Sequence, residues 1–193
     1  MKLSETFWNT KYKDQKTGWD LGVISPPLKA YFDQIENKEL KILIPGGGNS
    51  YEAEYLFSKG FENVFVLDIS EIALENIKKR VPNFPTTQLL HANFFEIEDS
   101  FDMVIEQTFF CAIDPSLRLQ YAQKMQSILR PKGKIVGLLF EAVLNEDHPP
   151  FGGTKEEYLT YFQPYFQIAK MDPCYNSYPN RQGMELFVQL IKK

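Results

Sequence analysis

Lys41-Ile-Leu-Ile-Pro-Gly-Gly-Gly-Asn-Ser-Tyr-Glu52, followed shortly by Val64-Phe-Val-Leu-Asp68-Ile69, decides the fold of this chain. A short apolar run that ends in a glycine turn and opens into a helix lets the backbone come close to a nucleotide-like ligand. An acid that closes the next apolar run can accept hydrogen bonds from ribose hydroxyls. Together the two runs read as a nucleoside-cofactor site on a parallel sheet.

NAD enzymes and S-adenosylmethionine enzymes share this order of strand, glycine turn, helix, strand and acid. The glycines lean toward the second. A dinucleotide fingerprint wants a third glycine three residues after the second, so that the helix packs closely beneath the pyrophosphate. Counted from Gly46 and Gly48, that place holds Tyr51. Glu52 and Glu54 then fall in the first helical turn, where a diphosphate would meet like charge. A sulfonium cofactor with an amino acid tail tolerates those acids.

The rest of the chain bounds the function class. Its 193 residues fit one domain, and 44% apolar with 15% aromatic residues supply a sizeable core. A net charge of −4 and a pI near 5.3 oppose a large nucleic-acid footprint. Cys111 and Cys174 stand far apart, without the spacing of a zinc site or a disulfide framework, so no metal is expected and a reducing compartment fits. No signal core opens the sequence and no run reaches membrane-spanning length. The expectation is a cytoplasmic monomer with a small-molecule substrate and neither nucleic acid nor membrane as partner.

Strand-like and helix-like segments alternate with short connections, the pattern of a helix-covered α/β sheet. Strands are expected near 40–45, 63–68, 86–90, 101–106 and 134–140. Ser50 to Ser58 and Ser70 to Lys79 read as helices with serine caps, and Pro115 to Leu129 as a longer one ended by Arg130-Pro131-Lys132-Gly133. Two further apolar runs, Tyr165 to Met171 and Met184 to Leu190, have no helical pattern between them and can pair as an antiparallel hairpin at the sheet edge. The predicted fold is a seven-stranded, mostly parallel Rossmann-like sheet with an antiparallel last strand and helices on both faces. One domain spans 1–193, with an N-terminal lid segment over 1–37 and the α/β core over 38–193.

That lid segment, Phe7-Trp8-Asn-Thr-Lys-Tyr12-Lys-Asp-Gln-Lys-Thr-Gly18-Trp19-Asp20-Leu-Gly22, holds both tryptophans of the protein. Trp8 and Tyr12 are four apart and share a helical face. They serve either as rings set against an adenine or a sulfonium, or as an aromatic stripe docked on the core.

Read together, Trp8, Tyr12, Trp19-Asp-Leu-Gly22, Pro27-Leu28, Ile44-Pro-Gly-Gly-Gly, Asp68-Ile-Ser, Asn93-Phe-Phe95 and Phe101-Asp-Met-Val-Ile-Glu106-Gln-Thr-Phe-Phe-Cys-Ala-Ile-Asp-Pro115 resemble the thiopurine S-methyltransferase family nearly end to end. Phe109-Phe-Cys-Ala-Ile, Arg118 and His148-Pro-Pro-Phe151 look most like its plant thiol and halide branch. The resemblance implies a class I S-adenosylmethionine-dependent fold and methyl transfer to a soft nucleophile. It also implies that Trp8, Tyr12 and Trp19 close over the cofactor, that Gly46 approaches its methionine part, and that Asp68, with Ile69 beside it, binds the ribose. Asn93 and Phe94 would then hold the adenine, and Glu106 would stand near the amino acid end. Glu106 takes the place of the usual Asp, and Gln107 that of the arginine of thiopurine enzymes.

Pocket candidates for the acceptor are Phe109, Phe110, Pro150 and Phe151, with Arg118, Arg181 and His148 as positive or proton-accepting neighbours. Each has a plainer reading: Phe109 and Phe110 as core, Arg118 as a local ion pair, His148 as a loop residue, Glu106 as a helix or loop cap. No catalytic acid is required, because the sulfonium methyl is already activated. The competing functions are an NAD-linked oxidoreductase and a non-catalytic S-adenosylmethionine-binding module.

Overall fold

The computed structural model of the chain describes residues 3–193. Helices α1 (Glu5–Lys13) and α2 (Pro26–Phe32) precede the first strand. Then come β1 (Ile42–Pro45), α3 (Tyr51–Ser58), β2 (Val64–Asp68), α4 (Glu71–Arg80), β3 (Leu89–His91), β4 (Phe101–Gln107), α5 (Arg118–Ile128), β5 (Leu129–Phe140), α6 (Lys155–Phe162), β6 (Phe166–Pro173) and β7 (Glu185–Lys192). The strands form one sheet in the order β3-β2-β1-β4-β5-β7-β6. Neighbours are parallel from β3 through β5, and β7 runs antiparallel to both β5 and β6. The expected mostly parallel sheet with a reversed last strand is present.

Alternation along β1 explains how both faces are covered. Ile42 and Ile44 pack with Leu28, Leu56 and Ile77 from α2, α3 and α4. Leu43, pointing the other way, packs with Tyr121 and Met125 of α5. All of β1 is buried. Strand order reverses between β1 and β4, and in open α/β sheets the crevice beyond the strand ends at such a point receives the ligand.

Three boundaries differ from the sequence reading. Residues 86–88 form a 3₁₀ turn and not the start of β3, because Pro85 closes a turn whose carbonyl accepts Gln88 N at 3.0 Å. The helix expected from Pro115 begins as a 3₁₀ turn over Pro115–Leu117, capped by Asp114, and continues as α5 only from Arg118. Arg130 to Gly133 does not end that helix in a loop. β5 starts at Leu129, and the register with β4 jumps from Phe101↔Leu129 to Met103↔Lys134. Lys132, at φ +63°, carries the resulting bulge.

Helix α1 has a different standing from the others. Ser4 caps it and accepts Phe7 N at 3.4 Å, yet none of its residues is buried. It is tied to α4 through Ser70 Oγ, which donates to Asn9 Oδ1 at 2.7 Å.

Candidate active site

The glycine turn after β1 is folded by its own neighbours. Gly46 and Gly48 have φ of +56° and +55°, where a side chain is strained. Space forbids one as well: a Cβ on Gly46 would collide with the Phe109 ring, and one on Gly48 would lie 2.7 Å from the Tyr12 hydroxyl. Ser50, the residue before α3, is also left-handed at φ +44°. Asp68 at the end of β2 fastens this turn. Its Oδ2 accepts Gly48 N at 2.8 Å and its Oδ1 accepts Ser70 N at 2.7 Å. Burial raises the Asp68 carboxyl, and the two backbone donors partly offset that.

A cavity of about 410 Å³ opens over this turn. One end is walled by Trp8, Tyr12, Trp19, Gly46 to Glu52, Asp68, Ile69, Asn93 and Phe94. The wall continues through Phe7, Lys11, Gln107, Thr108, Phe109, Ile113, Leu117 and Pro150. Trp19 stands edge-on to Trp8 and Tyr12, with ring centroids 5.5 and 5.9 Å apart. Burial first, and Asp68 second, hold the Tyr12 phenol well above its ordinary value. Asn93 caps the turn over Phe94–Glu96 by accepting Phe95 N at 3.1 Å. Thr108, just past β4, has φ +58°, a genuine backbone outlier for a β-branched residue, and it sits on the cavity wall.

Six expected site residues lie elsewhere. Glu106 does not reach the wall: its Oε1 accepts Phe109 N and Phe110 N at 2.8 and 2.9 Å, and its Oε2 accepts the Tyr121 hydroxyl. Side chains alternate along β4, so the next residue, Gln107, faces the cavity instead. Phe110 is core, packed against Tyr121, Tyr158 and Phe162. Phe151 is buried and absent from the wall, its amide donating to Cys111 O at 2.7 Å. The Arg118 guanidinium is spent on Glu157 at 2.7 Å and Gly152 O at 2.8 Å. Arg181 is buried against Glu185 and the Trp19 carbonyl. His148 is exposed, with Nδ1 3.0 Å from Pro149 O, and is not part of the wall.

Sequence reading passed over Phe7, Lys11, Ser50, Ile113 and Leu117. Phe7 and Lys11 are spaced like Trp8 and Tyr12 one residue along, and that i, i+4 pairing was the available signal. Lys11 Nζ lies 5.3 Å from the Phe7 ring centroid and is the one cation on the wall among the described residues.

A model of the thiopurine S-methyltransferase family matches residues 3–186. The chain belongs to that family. It is 31% identical to the probable thiol methyltransferase 2 of Arabidopsis thaliana, over 92% of this chain and 81% of that protein. Thiocyanate methyltransferase 1 of Brassica oleracea is 26% identical, over 95% and 83% of the two chains. The fold matches the 1,6-didemethyltoxoflavin-N1-methyltransferase of Burkholderia thailandensis, solved with S-adenosylhomocysteine, at a TM-score of 0.77 and 15% identity over 98% and 87%.

Membership in the family makes the chain an S-adenosylmethionine-dependent methyltransferase, and the likenesses favour neither an NAD-linked oxidoreductase nor a non-catalytic module. The residues present fit that methyl donor. The glycine turn leaves backbone open to the cavity, and each Asp68 oxygen keeps a lone pair beyond its backbone donor. Ser50 Oγ is buried on the wall and has no hydrogen-bond partner among the described residues, which leaves it free for a polar group of a ligand.

Proposed function

We propose that this enzyme methylates a small soft nucleophile, a thiol, a halide or a related chalcogen anion, inside this cavity. The observation that carries the reading is continuity: the glycine turn, Asp68 and the aromatic segment share one cavity with an apolar stretch of Phe109, Ile113, Leu117 and Pro150. In this reading Asp68 accepts from the ribose, with Gly46 and Ile69 alongside. Asn93 and Phe94 hold the adenine, and Trp8, Tyr12 and Trp19 present ring faces and edges toward the sulfonium. The names of the two plant relatives, a probable thiol methyltransferase and a thiocyanate methyltransferase, support a sulfur-centred acceptor. Two buried free cysteines suit a reducing cytoplasm, and no described helix is long and apolar enough to cross a membrane.

When bound, S-adenosylmethionine supplies a methyl group already activated on sulfur. The protein's part is to position and to exclude water, which together can account for roughly 7–11 kcal/mol of a barrier. Proton transfer is a small part of it. Cys111 is pushed up to about 12 by burial, so it stays a thiol at neutral pH. Asp114, the carboxyl nearest in sequence to Ile113 on the wall, is lowered by its hydrogen bonds from Ser116 and makes a poor base. The acceptor therefore arrives already ionised, and Lys11 is placed to favour an anion in a wall that otherwise carries Asp20, Glu52, Asp68 and Asp114.

Two results are expected. The rate with a thiol, divided by the rate with iodide at the same pH, should climb about tenfold per pH unit below the thiol's own pKa near ~8.5 and then level. Lys11→Glu should raise KM for iodide by about threefold to tenfold while leaving cofactor affinity within about twofold, an effect that shrinks in high salt. A pH-independent rate ratio together with an unchanged iodide KM would contradict the reading.

A further inference from the structure

Arg181 sits in a 3₁₀ turn, Pro179–Arg181, within the connection from β6 to β7, yet its guanidinium is buried and reaches the opposite end of the sequence. Nη2 donates to the carbonyl oxygen of Trp19 at 2.5 Å, and Nη1 donates to Glu185 Oε1 at 3.4 Å. The guanidinium carbon lies 5.4 Å from the Phe140 ring centroid. The turn that carries Arg181 is itself closed at both sides, since Arg181 N donates to Tyr178 O at 2.7 Å and Met184 N to Arg181 O at 3.1 Å. The cation is therefore a fixed point of the C-terminal hairpin.

What it holds is loosely built. Helix α1 buries no residue, and the segment after it is fastened by polar contacts such as Asp20 to Asn49. Trp19 nevertheless supplies the ring against which both Trp8 and Tyr12 pack, and all three line the cavity. A charge-assisted bond from a rigid, buried guanidinium to the Trp19 backbone fixes where that ring stands. We infer that Arg181 is a positioning residue that couples the β6–β7 connection to the aromatic wall of the cavity, acting on cofactor binding through Trp19 without touching the ligand. This rests, for its effect on cofactor, on the proposed role of Trp19.

The protein's two tryptophans, Trp8 and Trp19, are both on the cavity wall, so their fluorescence reports this wall and nothing else. In the full chain, Arg181→Met should roughly double acrylamide quenching of tryptophan and raise the S-adenosylmethionine KM about tenfold, with kcat at saturating cofactor within about twofold. Glu185→Gln keeps the bond to Trp19 and should leave quenching unchanged, whatever it does to melting temperature. Should Arg181→Met not fold, Arg181→Lys carries the same test, because an ammonium cannot span both acceptors with a planar fork. Unchanged quenching in a folded Arg181 variant overturns the coupling. Increased quenching with unchanged KM upholds the coupling and overturns instead the placement of Trp19 at the cofactor, as would Trp19→Ala with unaltered cofactor affinity.

Discussion

Asp68→Ala is expected to lower S-adenosylmethionine affinity by about 100-fold or more, below what calorimetry detects. The carboxylate does two jobs at one place. It accepts Gly48 N and Ser70 N, which shapes the turn between β1 and α3, and in the proposed site its remaining lone pairs accept from ribose hydroxyls. Hydrogen bonds to a charged group are worth about 1.5–3 kcal/mol each, so losing the ribose contacts alone amounts to roughly two decades. Asp68→Asn separates the jobs, since one amide oxygen still accepts a backbone donor while the negative charge is gone. It should melt within a few degrees of the parent and still bind the cofactor at least about tenfold more weakly. Unchanged cofactor affinity in either variant would remove Asp68 from the site.

Glu106→Ala should be the most damaging single substitution for stability outside the apolar core. It strands the backbone N–H groups of Phe109 and Phe110 and the Tyr121 hydroxyl in a buried place. Unpaired buried donors cost about 1–3 kcal/mol each, so a loss of about 3 kcal/mol or more is expected, roughly 6–12 °C in Tm for a chain of this size. The loop it releases carries Thr108 and Phe109 on the cavity wall, so turnover should fall with it.

Titration of the same group gives a second handle. Burial pushes the Glu106 carboxyl from 4.5 up to about 7, against the opposing pull of Tyr121 and the two backbone donors. The folded chain thus holds this proton more tightly than the unfolded chain. Its contribution to stability is full below about pH 4.5, falls as pH rises toward about 7, and is level above that. Glu106→Gln retains an acceptor for the backbone and a donor toward Tyr121, so it should fold and lose that slope. Denaturant unfolding of both proteins across pH 4 to 8 checks this, and identical slopes would mean that Glu106 is not the group titrating.

Glu106 also marks where the sequence stops being readable. The residue types along Ile42 to Gly48 and Val64 to Asp68 dictate a strand, a turn that only glycine can make, and a second strand, because local sterics and alternation suffice. The aromatic segment was legible for the same reason, since Trp8 and Tyr12 share a helical face at any tertiary arrangement. Glu106 and Gln107 differ by one position at a strand end, and only packing against α5 decides that the glutamate turns inward to Tyr121 and the glutamine faces the cavity. Arg118 and Arg181 failed as pocket cations on similar grounds. Each pairs with a carboxylate that packing brings to it, Glu157 39 positions on for Arg118 and Glu185 four positions on for Arg181, and burial commits them there. The cation that does face the cavity, Lys11, looks in sequence like any solvated lysine of a short helix.

The central claim, methyl transfer from S-adenosylmethionine to a soft nucleophile, is tested most directly by measuring S-adenosylhomocysteine release against a panel of acceptors. The panel should hold hydrogen sulfide, aliphatic and aromatic thiols, thiopurines, thiocyanate, iodide, and selenium and tellurium compounds, with oxygen and nitrogen nucleophiles of matched size beside them. The account predicts product release, with the methylated acceptor in equal amount, for at least one thiol or halide and for none of the oxygen or nitrogen compounds. Methylation of an oxygen or nitrogen acceptor with no turnover of any soft nucleophile would contradict it.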